Sequence, residues 1–280
     1  MIAVSEISQV LISIEKVKDG AQNYNSNFYL DTQKLELWIN LQILEMEEFE
    51  GTVFIIRKNK EFSNLYFATR STDSLKSNLN ILQTRYSNSV FVIDLVGIES
   101  KMKELKGVFL YNGYYLYTSL VRMSKTSDDL SIQIIEEGKI TYAQRTDSTT
   151  IFSYFTEYFD PYCEQIPLFE EIDKWIKNGQ LIIYSGDRKN IQGFLIYEKI
   201  GQTAYLRYWF VLPVQRDKKI GSALIQFYFK ECSSAKRQIF WVIRSNINAI
   251  KRYEHYGFKA ETLIDDVFIN RNTRYETENN

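Results

Sequence analysis

The segment that decides the fold runs Val211-Leu-Pro-Val-Gln-Arg-Asp-Lys-Lys-Ile-Gly-Ser-Ala-Leu224. An apolar strand pattern stops at Pro213, a polar and basic loop follows, and a helix opens on Ile-Gly-Ser-Ala. Such a loop aims several backbone N–H groups at one spot ahead of a helix N-terminus. Unpaired donors and the positive end of the helix dipole make that spot an anion site. Gly221 lets a phosphate approach the backbone closely. Arg216, Lys218 and Lys219 add positive charge, and Ile220 and Ser222 flank the glycine. A pyrophosphate is the natural occupant.

Working outward, the second half of the chain has a readable order. Ile140–Gln144 alternates as a short strand, and Asp147 caps a helix over Ser148–Phe159. Pro167 starts a second helix that stops at Gly179. Strands follow at 180–185, 191–200 and 203–213, the first two joined by a turn at Gly186–Asn190. Gly221–Lys236 reads as a helix, Arg237–Arg244 as an apolar strand and Asn246–Tyr256 as a helix ended by Gly257. A last strand covers 258–269. The order β-α-α-β-β-β-α-β-α-β is an α/β (α+β) fold, a mixed central sheet flanked by helices.

The first half is less regular. Phe28–Met46 carries apolar residues at helical spacing. Strands are expected at 53–59 and 65–71, a helix at Thr72–Ser87, a strand at 90–97 and a short helix at 99–107. Residues 108–123 read as a hairpin turning at Asn112-Gly113. From residue 65 the order β-α-β-α-β repeats the end of the second half. Gly107-Val108 mirrors Gly257-Phe258, which suggests two related domains in tandem. The expected domains are 1–130 and 139–270, with a boundary in the polar stretch Ser124–Gly138 and a flexible tail at 271–280.

A second motif follows the apolar strand Phe240-Trp-Val-Ile-Arg244. It reads Asn246-x-x-Ala249-x-x-x-Tyr253-Glu-x-x-Gly257-Phe258. Asn246, Ala249, Ile250 and Tyr253 share one helix face. Together with the basic loop about 30 residues earlier, this resembles the two signatures of the GNAT (Gcn5-related N-acetyltransferase) superfamily. Lys219 stands where that family's loop has its first glycine. The loop then either sits differently or keeps Lys219 at negative φ with its side chain as a further phosphate contact.

The resemblance covers the C-terminal half and implies a direct amine attack on acetyl-CoA in a ternary complex. The backbone around Phe210 and Val211 would pair with the pantetheine amides. The loop residues and Asn246 would hold the cofactor, and Ala249 would leave room for its arm. Tyr253 would point its hydroxyl at the sulfur and protonate the leaving thiolate. Many relatives carry a Glu as general base on the strand before the loop, but Ala204–Phe210 has no carboxylate. Tyr205, Glu198 on the previous strand, and a water chain stay open as bases. Arg207, on the same strand face as Tyr205, is a surface arginine or a substrate-carboxylate contact. The first half has Phe67-Ala-Thr-Arg-Ser-Thr-Asp-Ser74 in the loop's place and lacks the second motif. It reads as a diverged, non-catalytic GNAT-like domain that covers one side of the acceptor cleft.

Composition narrows the remaining choices. The net charge is −1 and the isoelectric point near 6.1, which gives no electrostatic footprint for nucleic acid. Cys163 and Cys232 form no CxxC pair, and His255 is the sole histidine, so no metal site and no Ser-His-Asp triad is expected. No signal peptide or membrane span is read, and a cytoplasmic location follows by default. The expected partner is a small-molecule amine, with a homodimer through an exposed strand edge left open. The alternative is a GNAT scaffold that binds acyl-CoA or a metabolite without turnover.

Overall fold

The computed structural model describes residues 1–29, 31–126, 139–186, 190–216 and 218–270. They form two compact units. One comprises residues 1–120 with the strand residues from Thr262 onward, and the other spans Val121–Glu261. The expected boundary region falls largely on 127–138, outside the described residues, as do the centre of the Gly186–Asn190 turn and the 271–280 tail.

The first half of the chain runs β1 (Ile2–Ala3), α1 (Ile7–Lys18), β2 (Asn25–Ser26), α2 (Thr32–Asn40), β3 (Leu44–Phe49), β4 (Thr52–Lys58) and β5 (Ser63–Thr69). It continues with α3 (Thr72–Arg85), β6 (Phe91–Ile98), α4 (Lys103–Tyr111) and β7 (Tyr115–Thr126). The second half runs β8 (Ile140–Tyr142), α5 (Ser148–Tyr158), α6 (Phe169–Lys177), β9 (Leu181–Ser185), β10 (Ile191–Ile200) and β11 (Thr203–Val211). It ends with α7 (Ile220–Glu231), β12 (Arg237–Ile243), α8 (Ile247–His255) and β13 (Lys259–Ile269). Apart from β2, the two halves have one and the same order.

The sheets repeat it too. The first unit orders its strands β1-β3-β4-β5-β6-β13, and the second β7-β12-β11-β10-β9-β8. In each, three consecutive strands, β3–β4–β5 or β9–β10–β11, are antiparallel and the next pair, β5–β6 or β11–β12, is parallel. The last strand of each unit comes from the other half of the sequence. From Thr262 on, β13 belongs to the first unit and pairs with β6 from Leu263↔Ile98 to Ile269↔Val92, while β7 from Val121 on belongs to the second.

In the second unit both sheet faces are covered. Leu195, Leu206, Leu224, Tyr228, Phe240 and Phe258 pack on one side. Ile151, Phe155, Ile172, Trp175, Phe194, Ile196 and Phe210 pack on the other. A strand buried on both faces reads as a continuous apolar run rather than an alternation, which is the pattern of β10.

Three expectations are corrected. Residues 108–111 are helical, so there is no hairpin at Asn112-Gly113. The 108–111 run (Val-Phe-Leu-Tyr) is short and apolar, a pattern that strand and buried helix share. Burial of Val108 and Phe109 against the sheet settles it as helix. Gly107 is therefore interior, and the counterpart of Gly257 (φ +85) is Gly113 (φ +78), each in the left-handed conformation that ends a helix. The apolar pattern over Phe28–Met46 divides into α2 and β3 at the left-handed Gln42. The helix expected over Gly221–Lys236 stops at Glu231.

Candidate active site

β11 and β12 pair only from Thr203↔Arg237 to Tyr205↔Ile239. Beyond Tyr205 the parallel pairing ends and a gap opens. A bulge in β11 sets what faces it. Ile196 pairs with Tyr208 and the next residue, Tyr197, with Leu206, leaving Arg207 as the extra residue. A bulge reverses the alternation of side chains past it. Ala204 and Leu206 thus share a face with Trp209 and Val211, while Tyr208 and Phe210 pack on the α5–α6 side.

A cavity of about 370 Å³ occupies the gap. It is lined by Trp209, Phe210, Val211, Arg216, Gly221, Asn246, Asn248, Ala249, Arg252 and Tyr253. Of the residues singled out in sequence for a cofactor, the structure brings Phe210, Val211, Arg216, Gly221, Asn246, Ala249 and Tyr253 to this one cavity. Lys218, Lys219, Ile220 and Ser222 do not line it. Lys218 and Lys219 are exposed beside it, Ile220 is buried in the core, and the Ser222 hydroxyl accepts a hydrogen bond from Tyr256 Oη at 2.8 Å.

The described residues just ahead of α7 turn at Lys219. Lys219 sits at φ +60, ψ +8, left-handed rather than at negative φ. The turn into α7 requires that conformation, which ordinarily favours glycine. The N-cap Lys219 makes no side-chain cap bond, and among the described residues the first N–H groups of α7 keep their hydrogen-bonding capacity. A Cβ on Gly221 would lie 3.4 Å from Trp209 and 3.6 Å from Val211, both cavity residues. The missing side chain therefore widens the cavity beside the helix end.

α8 forms the opposite wall. Asn246 Oδ1 accepts from Ala249 N–H at 3.1 Å and caps the helix. Tyr253 packs on Phe240 (ring centroids 4.5 Å apart) and Trp209 (5.5 Å). Burial pushes its hydroxyl up to a pKa of about 12, with Arg252 pulling it down and Glu164 raising it further. The phenol is therefore fully protonated at neutral pH. Trp209, Asn248 and Arg252 were not singled out in sequence. Arg252 was detectable as the cation preceding Tyr253, whereas Trp209 faces the cavity only because of the bulge.

The sequence-derived base candidates lie elsewhere. Glu198 is bound by Arg207 (Nη2–Oε2 2.5 Å) and accepts from Trp175 Nε1 at 2.8 Å. Tyr205 pairs across from Glu198 and lies under Arg207, 5.4 Å from ring centroid to guanidinium. Neither lines the cavity. His255 is exposed. Cys163 and Cys232 are buried and form no disulfide among the described residues, and burial pushes Cys232 up to about 12. Among the described residues, no group of His, Cys, Asp and Glu is placed to hold a metal, and no helix is long and apolar enough to cross a membrane.

The equivalent gap in the first unit is filled by the chain itself. β5 and β6 pair only at Ser63↔Phe91 and Asn64↔Val92. β2 lies along β5, with Asn25↔Thr69 and Ser26↔Ala68. Asn27 Nδ2 then donates to Leu65 O (3.2 Å) and Asp94 O (3.1 Å), and its Oδ1 accepts from Phe67 N–H (2.7 Å). One amide bridges both splayed strands. α3 is capped by Ser71 Oγ, which accepts from Ser74 N–H at 3.1 Å, whereas the N-cap side chain of α7 makes no such bond.

Residues 149–258 match the family model described as Acetyltransferase (GNAT) family, a GNAT-domain match within the second half of the chain. No curated protein sequence matches the chain. Solved structures share its fold over nearly the whole length. A GCN5-related N-acetyltransferase from Sphaerobacter thermophilus aligns with TM-score 0.60 at 13% identity, over 96% of this chain and 94% of its own. A tandem GNAT protein from the clavulanic acid biosynthesis pathway aligns with TM-score 0.60 at 7% identity, over 96% and 97%. A GNAT-family acetyltransferase from Colwellia psychrerythraea gives 0.59 at 11%, over 95% and 97%.

Proposed function

We propose that the second unit binds acetyl-CoA in the gap between β11 and β12 and transfers its acetyl group to a primary amine by direct attack in a ternary complex. The observation that carries this reading is the cavity's two walls. One ends in the α7 N-terminus, whose N-cap side chain makes no cap bond, with Arg216, and the other presents the half-buried Tyr253 phenol. The pyrophosphate fits the α7 N–H groups, with Lys218 and Lys219 beside it and Arg252 as a further cation at the rim. The edge of β11 at Phe210 and Val211, no longer paired to β12, offers backbone groups to the pantetheine amides. With Asn246 Oδ1 engaged in the cap, the donor side of that amide meets an acceptor on the cofactor.

Holding amine and thioester together supplies orientation, the main gain of such a reaction. Tyr253 serves as the acid that protonates the departing thiolate. The first unit takes no cofactor in this reading, because β2 and Asn27 hold the corresponding strand groups. The test is thiol release from acetyl-CoA across a panel of primary amines, alongside thermal shifts with acetyl-CoA, CoA and desulfo-CoA. A second reading, an acyl-CoA-binding scaffold without turnover, is favoured by the absence of Glu198 and Tyr205 from the cavity lining. It predicts the thermal shifts and no thiol release with any amine.

A further inference from the structure

The second helix of each half carries a tryptophan, and the two hold the same place in the repeat. Trp38 O accepts from Ile43 N–H at 3.0 Å and Trp175 O from Gln180 N–H at 2.9 Å, and Ile43 and Gln180 each follow a left-handed residue, Gln42 or Gly179. Lys58 N–H then donates to Ile43 O at 2.8 Å and Tyr197 N–H to Gln180 O at 2.9 Å, which sets Asn59 against Glu198. In the second unit the indole is satisfied. Trp175 Nε1 donates to Glu198 Oε1 at 2.8 Å, and Glu198 Oε2 takes Arg207 (Nη2 at 2.5 Å). A carboxylate thus sits between an indole N–H and a guanidinium.

The first unit has the indole and a guanidinium but not the carboxylate. Arg57 on β4 lies over Trp38, with Cζ 5.2 Å from the ring centroid. Asn59, in the place of Glu198, gives its amide to Asn64 Oδ1 at 2.8 Å. Trp38 is 8% exposed and Arg57 7%, and among the described residues Trp38 Nε1 and Arg57 Nε are buried without a hydrogen-bond partner. Both groups only donate, so neither satisfies the other. The sheet face they share supplies no acceptor. Leu44 pairs with Arg57 on one side and Asn64 on the other. Glu48, four residues along β3 from Leu44, is about 13 Å away and is held by Ser13 and Lys16. Asp94 lies two strands across the sheet, at least about 10 Å away. A guanidinium keeps its charge inside a protein, and a buried charge without a counter-ion is costly. The Trp38 ring face offsets part of that cost. Tyr66 stacks on Trp38 (6.0 Å) and Phe28 meets Tyr66 edge-on (5.7 Å), closing the place with aromatic surface.

We propose that the first unit binds a small-molecule carboxylate between Arg57 and Trp38. One oxygen accepts from the indole N–H and the other from the guanidinium, as the two oxygens of Glu198 do in the second unit. A planar oxygen pair is the partner that a guanidinium fork matches best. The part of Arg57 that stays exposed marks the way in.

The experiment follows the indole N–H signals of the full chain made with isotopically labelled tryptophan, four signals in all. Trp38→Phe identifies the Trp38 signal by its loss. Acetate, phosphate and chloride are titrated at equal ionic strength. Acetate is expected to move the Trp38 signal saturably and to leave Trp175, already bonded to Glu198, in place. Chloride is expected to move neither. Arg57→Met, which keeps a chain of similar length and removes the charge, is expected to weaken acetate binding by at least about tenfold. If Arg57→Met does not fold, the wild-type titration decides alone. No saturable movement of Trp38 with acetate means that water satisfies the two donors, and overturns the proposal. Tighter binding of phosphate than of acetate, or an acetate shift unchanged in Arg57→Met, overturns it as well.

Discussion

Tyr253 and Phe109 hold the same place in the two halves of the chain. Each lies four residues before a left-handed glycine, Gly257 or Gly113, that ends the fourth helix of its half. Counting back from those glycines also sets Met102 against Asn246 and Leu105 against Ala249. The second half has a half-buried phenol facing a cavity. The first has a fully buried Phe109 packed on Phe67, Tyr114 and Phe268. One scaffold thus occurs twice, with the chemistry-bearing atoms in one copy.

Tyr253→Phe removes a single oxygen that has no hydrogen-bonding role in the fold's described interactions. Acetyl-CoA binding is expected to stay within about twofold of wild type, while turnover falls by at least about 10²-fold, the range of general acid catalysis. Isothermal titration with CoA and thiol-release kinetics check the two halves of this statement. Equal turnover in both proteins removes Tyr253 from the mechanism.

The self-filled gap of the first unit fixes a stoichiometry. Calorimetric titration of the full chain with CoA is expected to give one site per chain, and Asn27→Ala, which removes the bridge between Leu65 O, Asp94 O and Phe67 N–H, is expected to destabilise the fold by about 1–3 kcal/mol. Two equivalent sites per chain contradict the assignment.

Gly193 is required by packing. A Cβ there would stand 2.7 Å from the Phe210 carbonyl oxygen and 3.2 Å from Leu224. Since the nearest atom is backbone, Gly193→Ala displaces the end of β11 at the cavity wall. We expect a stability loss of about 1–3 kcal/mol by overpacking and weaker CoA binding, measured by denaturation and titration. Gly221→Ala, whose Cβ meets only ordinary contacts, is expected to keep the fold.

Lys219→Gly is expected to stabilise the protein by up to about 1 kcal/mol, because it relieves a left-handed residue that carries a Cβ. Lys219→Val, β-branched at the same φ, is expected to destabilise it. Melting temperatures of the two variants give the order.

Much of this was legible. The apolar run of β10, the Asn246–Phe258 spacing and the basic loop each follow from local chemistry, and the helices and strands of the second half lie where those patterns put them. What was not legible depends on distant partners. The exchange of β7 and β13 between units leaves no local trace. The β11 bulge is a register event that turned Trp209 toward the cavity. A left-handed Lys219 cannot be told from a right-handed one by residue type. In α1, Val10, Ile14 and Val17 share a buried face, but polar residues interrupt the apolar pattern and hide the helix in the sequence.

Acidification supplies a test of the second unit's stability. Burial disfavours ionised Glu261, yet hydrogen bonds from Ser124, Arg122 (2.6 Å) and Arg237 outweigh it and leave its pKa below the usual carboxylate value. A depressed folded-state pKa gives stability that is full above the unfolded value and lost as pH falls through the folded one. Glu261→Gln is therefore expected to lower the melting temperature at neutral pH and to narrow its gap to wild type as the pH falls below the carboxylate range.

The central claim, a coenzyme A site at the α7 N-terminus, is tested most directly by thermal shift with CoA on wild type and Gly221→Asp. At 100 times the dissociation constant the ligand should stabilise wild type by about 2.7 kcal/mol. The new carboxylate, set beside Trp209 and the helix end, should abolish the shift while leaving the unliganded fold intact. An equal shift in both proteins, or none in wild type, would contradict the account.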